Sequence, residues 1–196
     1  MRGLYALKNW FTGVLNPLVL FASQRKVSPN IFTVLGVLGG ALAGLGVASL
    51  NTWLVLIGVI VRLAGANMDG AVARAAGRET RGGFWINEAG DRLADWAIFA
   101  GLFFAPVSIP LDVWVAVMVA VAIPTSVSLW GVRHGAPRIN GGPFGKTERC
   151  FFAVVFVALC QFGGIDNLVA GYLLQVLIWA SMVTALLRWQ RIRSLR

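Results

Sequence analysis

Six apolar segments separated by short polar ones dominate the chain. A bilayer core about 30 Å thick requires roughly 20 helical residues. The first, fourth and sixth segments reach that length on apolar residues alone, whereas the others include polar residues at one end. The pattern predicts an all-α integral membrane protein with six transmembrane helices near residues 31–50, 53–74, 87–106, 111–132, 148–164 and 167–188.

The stretch before the first span, residues 1–22, carries apolar residues at helical spacing. Such spacing is typical of an amphipathic helix lying in the membrane interface. A frayed leader is the alternative. The residues that define this face are Leu4, Leu7, Phe11, Val14, Leu15 and Leu18.

Small residues recur every four positions in the first span, at Gly36, Gly40, Gly44 and Ala48. A ridge of this kind lets two helices approach closely. It fits packing within the chain or the seam of a homodimer. We treat residues 1–196 as a single membrane domain.

The composition agrees with this class of protein. Hydrophobic residues make up 58% of the chain and charged residues 13%, against roughly 25% charged residues in typical soluble proteins. A water-soluble domain of 196 residues would lack the polar side chains to cover its surface. An ordinary cytosolic protein and a disordered one are therefore excluded.

The net charge of +9 is distributed by loop. Basic residues gather before the first span, between spans two and three, between spans four and five, and after span six, whereas the intervening turns contain none. The positive-inside rule then places both termini in the cytoplasm of an inner-membrane protein. The charge indicates contact with anionic lipid headgroups of the bilayer, not with nucleic acid.

Polar residues cluster where the second span ends and the third begins. Asn87, Asp91 and Asp95 are spaced four residues apart and share one helix face, and Asp69 lies on the preceding span. Carboxylate and amide oxygens suit a hard cation such as Mg²⁺ or Mn²⁺. Two arginines, Arg62 and Arg74, flank Asp69 and would balance its charge or bind phosphate, which favours a phosphate-bearing lipid as ligand. The alternative is that these charges pair with one another and seal the helix ends.

The same segment resembles the motif D-x2-D-G-x2-A-R-x8-G-x3-D-x3-D of the CDP-alcohol phosphatidyltransferase family. The resemblance continues through the six spans and the basic loop before span five. Two motif positions differ, because Ala66 and Asn87 replace the first and third aspartates. The matching residues are Asp69, Gly70, Ala73, Arg74, Gly83 and Asp91.

The resemblance implies transfer of a phosphatidyl group from CDP-diacylglycerol to an alcohol acceptor, with release of CMP. It implies a CDP-lipid site at Gly70, Ala73, Arg74 and Gly83. Asp91 would be the base that takes the acceptor proton. In the family the four motif aspartates hold two metal ions. Because Ala66 and Asn87 remove two of those negative charges, we expect one tightly bound Mg²⁺ or Mn²⁺, held by Asp69, Asn87 and Asp91 with Asp95 in support. The loop between spans four and five would bind an anionic acceptor or contact anionic lipid, through Arg133, Arg138, Lys146 and Arg149.

Two further hypotheses stay open. The replacements at Ala66 and Asn87 favour an inactive family member that binds CDP-lipid or a partner. A small transporter is disfavoured, because the charged residues gather at one membrane side and none is expected mid-span.

Overall fold

The structure, a computed structural model, describes residues 8–195. It contains seven α-helices: α1 (Lys8–Gln24), α2 (Pro29–Ala48), α3 (Thr52–Ala75), α4 (Arg81–Ala100), α5 (Leu111–Arg133), α6 (Lys146–Phe162) and α7 (Asn167–Ser194). A short 3-10 turn, Gly101–Phe103, extends α4. The all-α fold class is confirmed for the described residues.

Four of the helices, α2, α3, α5 and α7, are long and apolar enough to cross a membrane. They correspond to the first, second, fourth and sixth predicted spans. Helix α6 is short, with 17 residues, and α4 carries several charged residues. The count of six spans therefore stays a prediction.

Helix α4 begins six residues before the predicted third span, at Arg81 rather than at 87. The Thr80 hydroxyl accepts a hydrogen bond from the Gly83 amide at 2.9 Å and caps the helix. Hydropathy missed this start because the first turns of α4 are polar. The extra turns carry Asn87 and Asp91 on a continuous helix.

Helix α2 packs against α3 and α4 through its glycine ridge. A methyl group at Gly36 would lie 3.4 Å from the Arg62 carbonyl oxygen, and one at Gly40 would overlap Ala94. The ridge therefore serves packing within the chain, which decides between the two alternatives above. This close approach holds α3 and α4 beside each other.

Helix α1 lies along α3, with Leu15, Val19 and Ala22 buried against Met68 and Val72. Its opposite face exposes apolar side chains. Leu4 and Leu7 of the predicted amphipathic helix lie outside the described residues. The exposed face consists of Trp10, Val14, Leu18 and Phe21.

Candidate active site

A cavity of about 310 Å³ opens at one end of the bundle, where α3 ends and α4 and α6 begin. We call this end the basic end. Charged and polar side chains from five helices and the α5–α6 loop line the cavity. They include Asp69, Arg74, Asn87, Asp91, Asp95, Arg138, Asn140, Lys146, Arg149 and Arg188, and Gly70 lines the cavity through its backbone.

Asp69 is 4% exposed and forms the α3 side of the site. Its carboxylate accepts hydrogen bonds from the Thr33 hydroxyl at 3.1 Å and from the Gly70 amide. Asn87 directs its amide nitrogen to the same carboxylate at 3.4 Å. Asp69 of α3 and Asn87 of α4 therefore lie side by side, and their contact is made by the nitrogen of Asn87.

Asp91 faces a cation. The Lys146 ammonium at the start of α6 lies 3.0 and 2.8 Å from its two carboxylate oxygens. Lys146 keeps 29% of its side chain exposed. The residue predicted to act as base is thus held by a lysine whose side chain can reach the cavity.

Asp95 is held by two buried arginines. Its carboxylate oxygens pair with Arg62 of α3 and Arg149 of α6. Arg62 is fully buried and also donates to the Asp91 carbonyl oxygen at 3.2 Å. The expectation that no charge lies mid-span is wrong for Arg62, which stands near the middle of α3 because α4 supplies its counterion.

The other acidic side chain of this region, Glu88, is 1% exposed. It pairs with Arg92 on its own helix and with Arg138 of the α5–α6 loop. Arg188 fixes the same loop by donating to the carbonyl oxygens of Asn140 and Gly141. The pairing of Glu88 with Arg138 and the bonds of Arg188 to the loop join residues far apart in the sequence, so no local sequence pattern predicts them.

Some predicted residues lie away from the cavity. Gly83 is at the first turn of α4, and Ala73 and Arg133 are also absent from the cavity lining. Arg133 is exposed at the end of α5. Arg74 is exposed and lines the cavity, and no carboxylate pairs with it among the described residues. Two residues of the site, Thr33 and Arg188, were not predicted from the sequence.

The fit of a divalent ion depends on oxygens that are free to bind it. The Asp91 and Asp95 carboxylates are taken by cations, and Asn87 offers Asp69 its nitrogen. No group of three or more His, Cys, Asp or Glu side chains in the described part of the chain is arranged to hold a metal ion. A divalent ion here would therefore have to displace these ion pairs, because Asp69 is the one carboxylate of the predicted ligand set that forms no ion pair among the described residues.

Comparison with known proteins identifies the class. The model of the CDP-alcohol phosphatidyltransferase family matches residues 26–187. The chain therefore belongs to this family, as its motif predicted.

Two named relatives are similar to this chain. The chain is 30% identical over 212 residues to a phosphatidylinositol phosphate synthase of Streptomyces avermitilis, covering 100% of this chain and 83% of the relative. It is 28% identical over 150 residues to the inner membrane protein YnbA of Escherichia coli, covering 74% of each. With four apolar helices of spanning length, the chain is a multi-pass membrane protein.

Solved structures share the fold. The crystal structure of Mycobacterium tuberculosis phosphatidylinositol phosphate synthase with CDP-DAG bound superposes with a TM-score of 0.71 at 20% identity, covering 90% of this chain and 92% of that one. The same enzyme in complex with manganese and citrate gives a TM-score of 0.68 at 22% identity, covering 90% and 87%. At these identities the likeness concerns the fold.

Proposed function

We propose that this chain transfers a phosphatidyl group from CDP-diacylglycerol to an alcohol acceptor and releases CMP. The observation that carries the proposal is the cavity of about 310 Å³ at the basic end. It joins motif residues Asp69, Gly70, Arg74 and Asp91 to the cations of the α5–α6 region. The side of the cavity with Gly70 and Arg74 thus suits a nucleotide diphosphate, and the side with the cations of the α5–α6 region suits an acceptor.

The CDP-lipid diphosphate would lie against Gly70 and Arg74, because a glycine leaves room for a phosphate and an unpaired arginine binds it. Ala73 and Gly83 would shape the helix ends around it. The acceptor would lie nearer α6. Arg138, Lys146 and Arg149 line that side, and their charge favours an anionic alcohol. Arg133 is left to contact anionic lipid.

In the reaction, the acceptor hydroxyl oxygen attacks the β-phosphorus and forms a new P–O bond. The bond from this phosphorus to the bridging oxygen breaks, and CMP leaves with that oxygen. Asp91 takes the hydroxyl proton. Because Lys146 holds both Asp91 oxygens, this base becomes free when the ammonium moves onto a phosphate. We propose that Asp69 orients Asn87 and Thr33 beside it.

The assignment of Mg²⁺ or Mn²⁺ to Asp69, Asn87, Asp91 and Asp95 is not carried into this scheme, because of the pairings described above.

We place α4 and α6 across the membrane with the four apolar helices, which gives six spans. We place α1 in the interface and both termini in the cytoplasm. Soluble acceptors and CMP then meet the cavity from the cytoplasm.

The test is CMP release from CDP-diacylglycerol with a panel of neutral and phosphorylated polyols. Asp91→Asn should eliminate release and retain CDP-lipid binding, whereas the exposed Asp112→Asn should behave as wild type. Unchanged release by Asp91→Asn would remove the proposed base.

A second function, CDP-lipid binding without turnover, is favoured by Ala66 and Asn87 at two motif positions. It predicts saturable binding of CDP-diacylglycerol and no CMP release with any acceptor.

A further inference from the structure

Glu88 lies behind the wall of the large cavity. It is 1% exposed and is absent from the cavity lining, whereas its two partners, Arg92 of α4 and Arg138 of the α5–α6 loop, both line the cavity. Arg92 Nη2 lies 3.0 Å from Glu88 Oε2, and Arg138 Nη2 pairs with Oε1. One buried carboxylate is therefore shared between two guanidinium groups, one on each oxygen.

The shared carboxylate holds together two like charges. Guanidinium groups this near each other repel, and Glu88 between them offsets that repulsion and fixes where they stand. Arg92 and Arg138 keep 18% and 29% of their side chains exposed. Two positive charges against one negative leave a net positive charge on the trio, and it belongs to the groups that reach the cavity.

Two further contacts fix Arg138. Its guanidinium carbon lies 5.7 Å from the centre of the Phe84 ring, a distance at which a cation and an aromatic face attract. The next residue, Ile139, donates its amide to the Ser128 hydroxyl at 3.1 Å, which ties the loop backbone to α5. Because its side chain and the adjoining backbone are both held, Arg138 loses little conformational entropy when it binds an anion.

We propose that Glu88 is a positioning residue, which makes the cavity prefer an anionic alcohol acceptor to a neutral one by holding Arg92 and Arg138 in its wall. The inference rests on the proposed function for the acceptor itself. Glu88 precedes Asp91 by three residues on α4, so one helix carries the proposed base and fixes both arginines. An anion bound there supplies the negative charge that the trio lacks.

Inorganic phosphate is the first probe, because its binding needs neither CDP-lipid nor turnover. The full chain in detergent is treated with phenylglyoxal, and peptide mass spectrometry measures the modification of Arg92 and Arg138. Phosphate should protect both arginines in the wild type. Glu88→Gln should need at least about tenfold more phosphate for the same protection, and the exposed Glu79→Gln should match the wild type.

The sign of this change is decisive. Glu88→Gln removes a negative charge, so charge alone would strengthen phosphate binding, whereas loss of positioning weakens it. Equal or tighter binding by Glu88→Gln, or no protection in the wild type, would overturn the inference.

Arg138→Gln keeps the test open if Glu88→Gln does not fold, because the Arg138 side chain is partly exposed. Phosphate should then no longer protect Arg92. Protection of Arg92 that persists in Arg138→Gln would overturn the inference, because the two arginines would not act together.

CMP release forms the second arm. Glu88→Gln should raise KM for phosphorylated polyols by about tenfold and leave KM for CDP-diacylglycerol and for neutral polyols at the wild-type values. A purely structural defect would raise KM for every substrate, which would overturn the inference and leave the proposed function intact. Absence of CMP release with any acceptor would overturn the proposed function, and the phosphate measurement would still decide the inference.

Discussion

At the scale of single residues, acidic side chains four positions apart on one helix have different environments. Asp91 pairs with the partly exposed Lys146, whereas Asp95 pairs with Arg62 and Arg149, which are buried. The difference arises from depth. Asp91 lies nearer the mouth of the cavity, and Asp95 lies one turn further into the bundle.

Asp95→Asn should therefore destabilise the chain more than Asp91→Asn does. It would leave the buried Arg149 guanidinium without its counterion and Arg62 with only the longer contact to Asp91 at 3.9 Å, and removing one partner of a buried pair costs about 3–5 kcal/mol. Thermal unfolding in detergent should show a large drop in Tm for Asp95→Asn. The Tm of Asp91→Asn should fall far less, because Lys146 can reach solvent. Equal melting of the two variants would show that the arginines find other partners.

Arg74 should serve binding more than folding. It is exposed, lines the cavity and has no ion-pair partner among the described residues. A hydrogen bond to a charged group is worth about 1.5–3 kcal/mol, so Arg74→Ala should weaken CDP-diacylglycerol binding by at least about tenfold. The measurements are lipid binding and detergent Tm.

Arg81→Ala is the matched control, since Arg81 is exposed at the start of α4 and lies outside the cavity lining. It should bind as wild type. A fall in Tm of Arg74→Ala without a specific loss of binding would instead make Arg74 a structural residue.

At the scale of elements, the glycine ridge of α2 sets the distance between helices. A methyl group at Gly44 would overlap the Ala97 carbonyl oxygen of α4. Gly44→Ala should cost about 1–3 kcal/mol, as overpacking does, and lower the Tm. The matched control is Gly171→Ala in α7, where a methyl group meets nothing within 4 Å.

Because α2 also holds α4 next to α3, Gly44→Ala should lower CMP release as well, by displacing Asp91. A Tm equal to that of Gly171→Ala would show that α2 and α4 do not pack closely.

Much of this architecture could be predicted from the sequence. Apolar segments indicate the helices that lie in lipid, and the spacing within the motif indicates which of its residues come together. The four apolar helices and the meeting of Asp69 with Asn87 are examples. The Lys146–Asp91 pair joins residues 55 positions apart, and Arg62 finds Asp95 across a helix interface. Such partners depend on how helices pack, which no local pattern encodes. For the same reason the sequence predicted Asp95 as a metal ligand without showing its two arginines.

At the scale of the whole molecule, charge is segregated along the bundle. The cavity and its cations lie at the basic end, while Asp112 and Asp166 stand at the first turn of α5 and the cap of α7. Basic loops are retained on the cytoplasmic side during insertion. The basic end should therefore face the cytoplasm, where soluble acceptors and CMP are found.

Cysteine labelling tests this orientation in a background without Cys150 and Cys160. Asp112→Cys and Arg191→Cys place exposed thiols at opposite ends of the bundle. Asp112 lies near the start of α5, which is beside the start of α7, whereas Arg191 lies near the end of α7. A membrane-impermeant maleimide should label Arg191→Cys in inside-out vesicles and Asp112→Cys in intact spheroplasts. The reverse pattern would place the cavity outside the cytoplasm, and labelling of both from one side would show that α5 or α7 does not cross the bilayer. Each variant should keep the Tm of the cysteine-free background, since neither Asp112 nor Arg191 is buried.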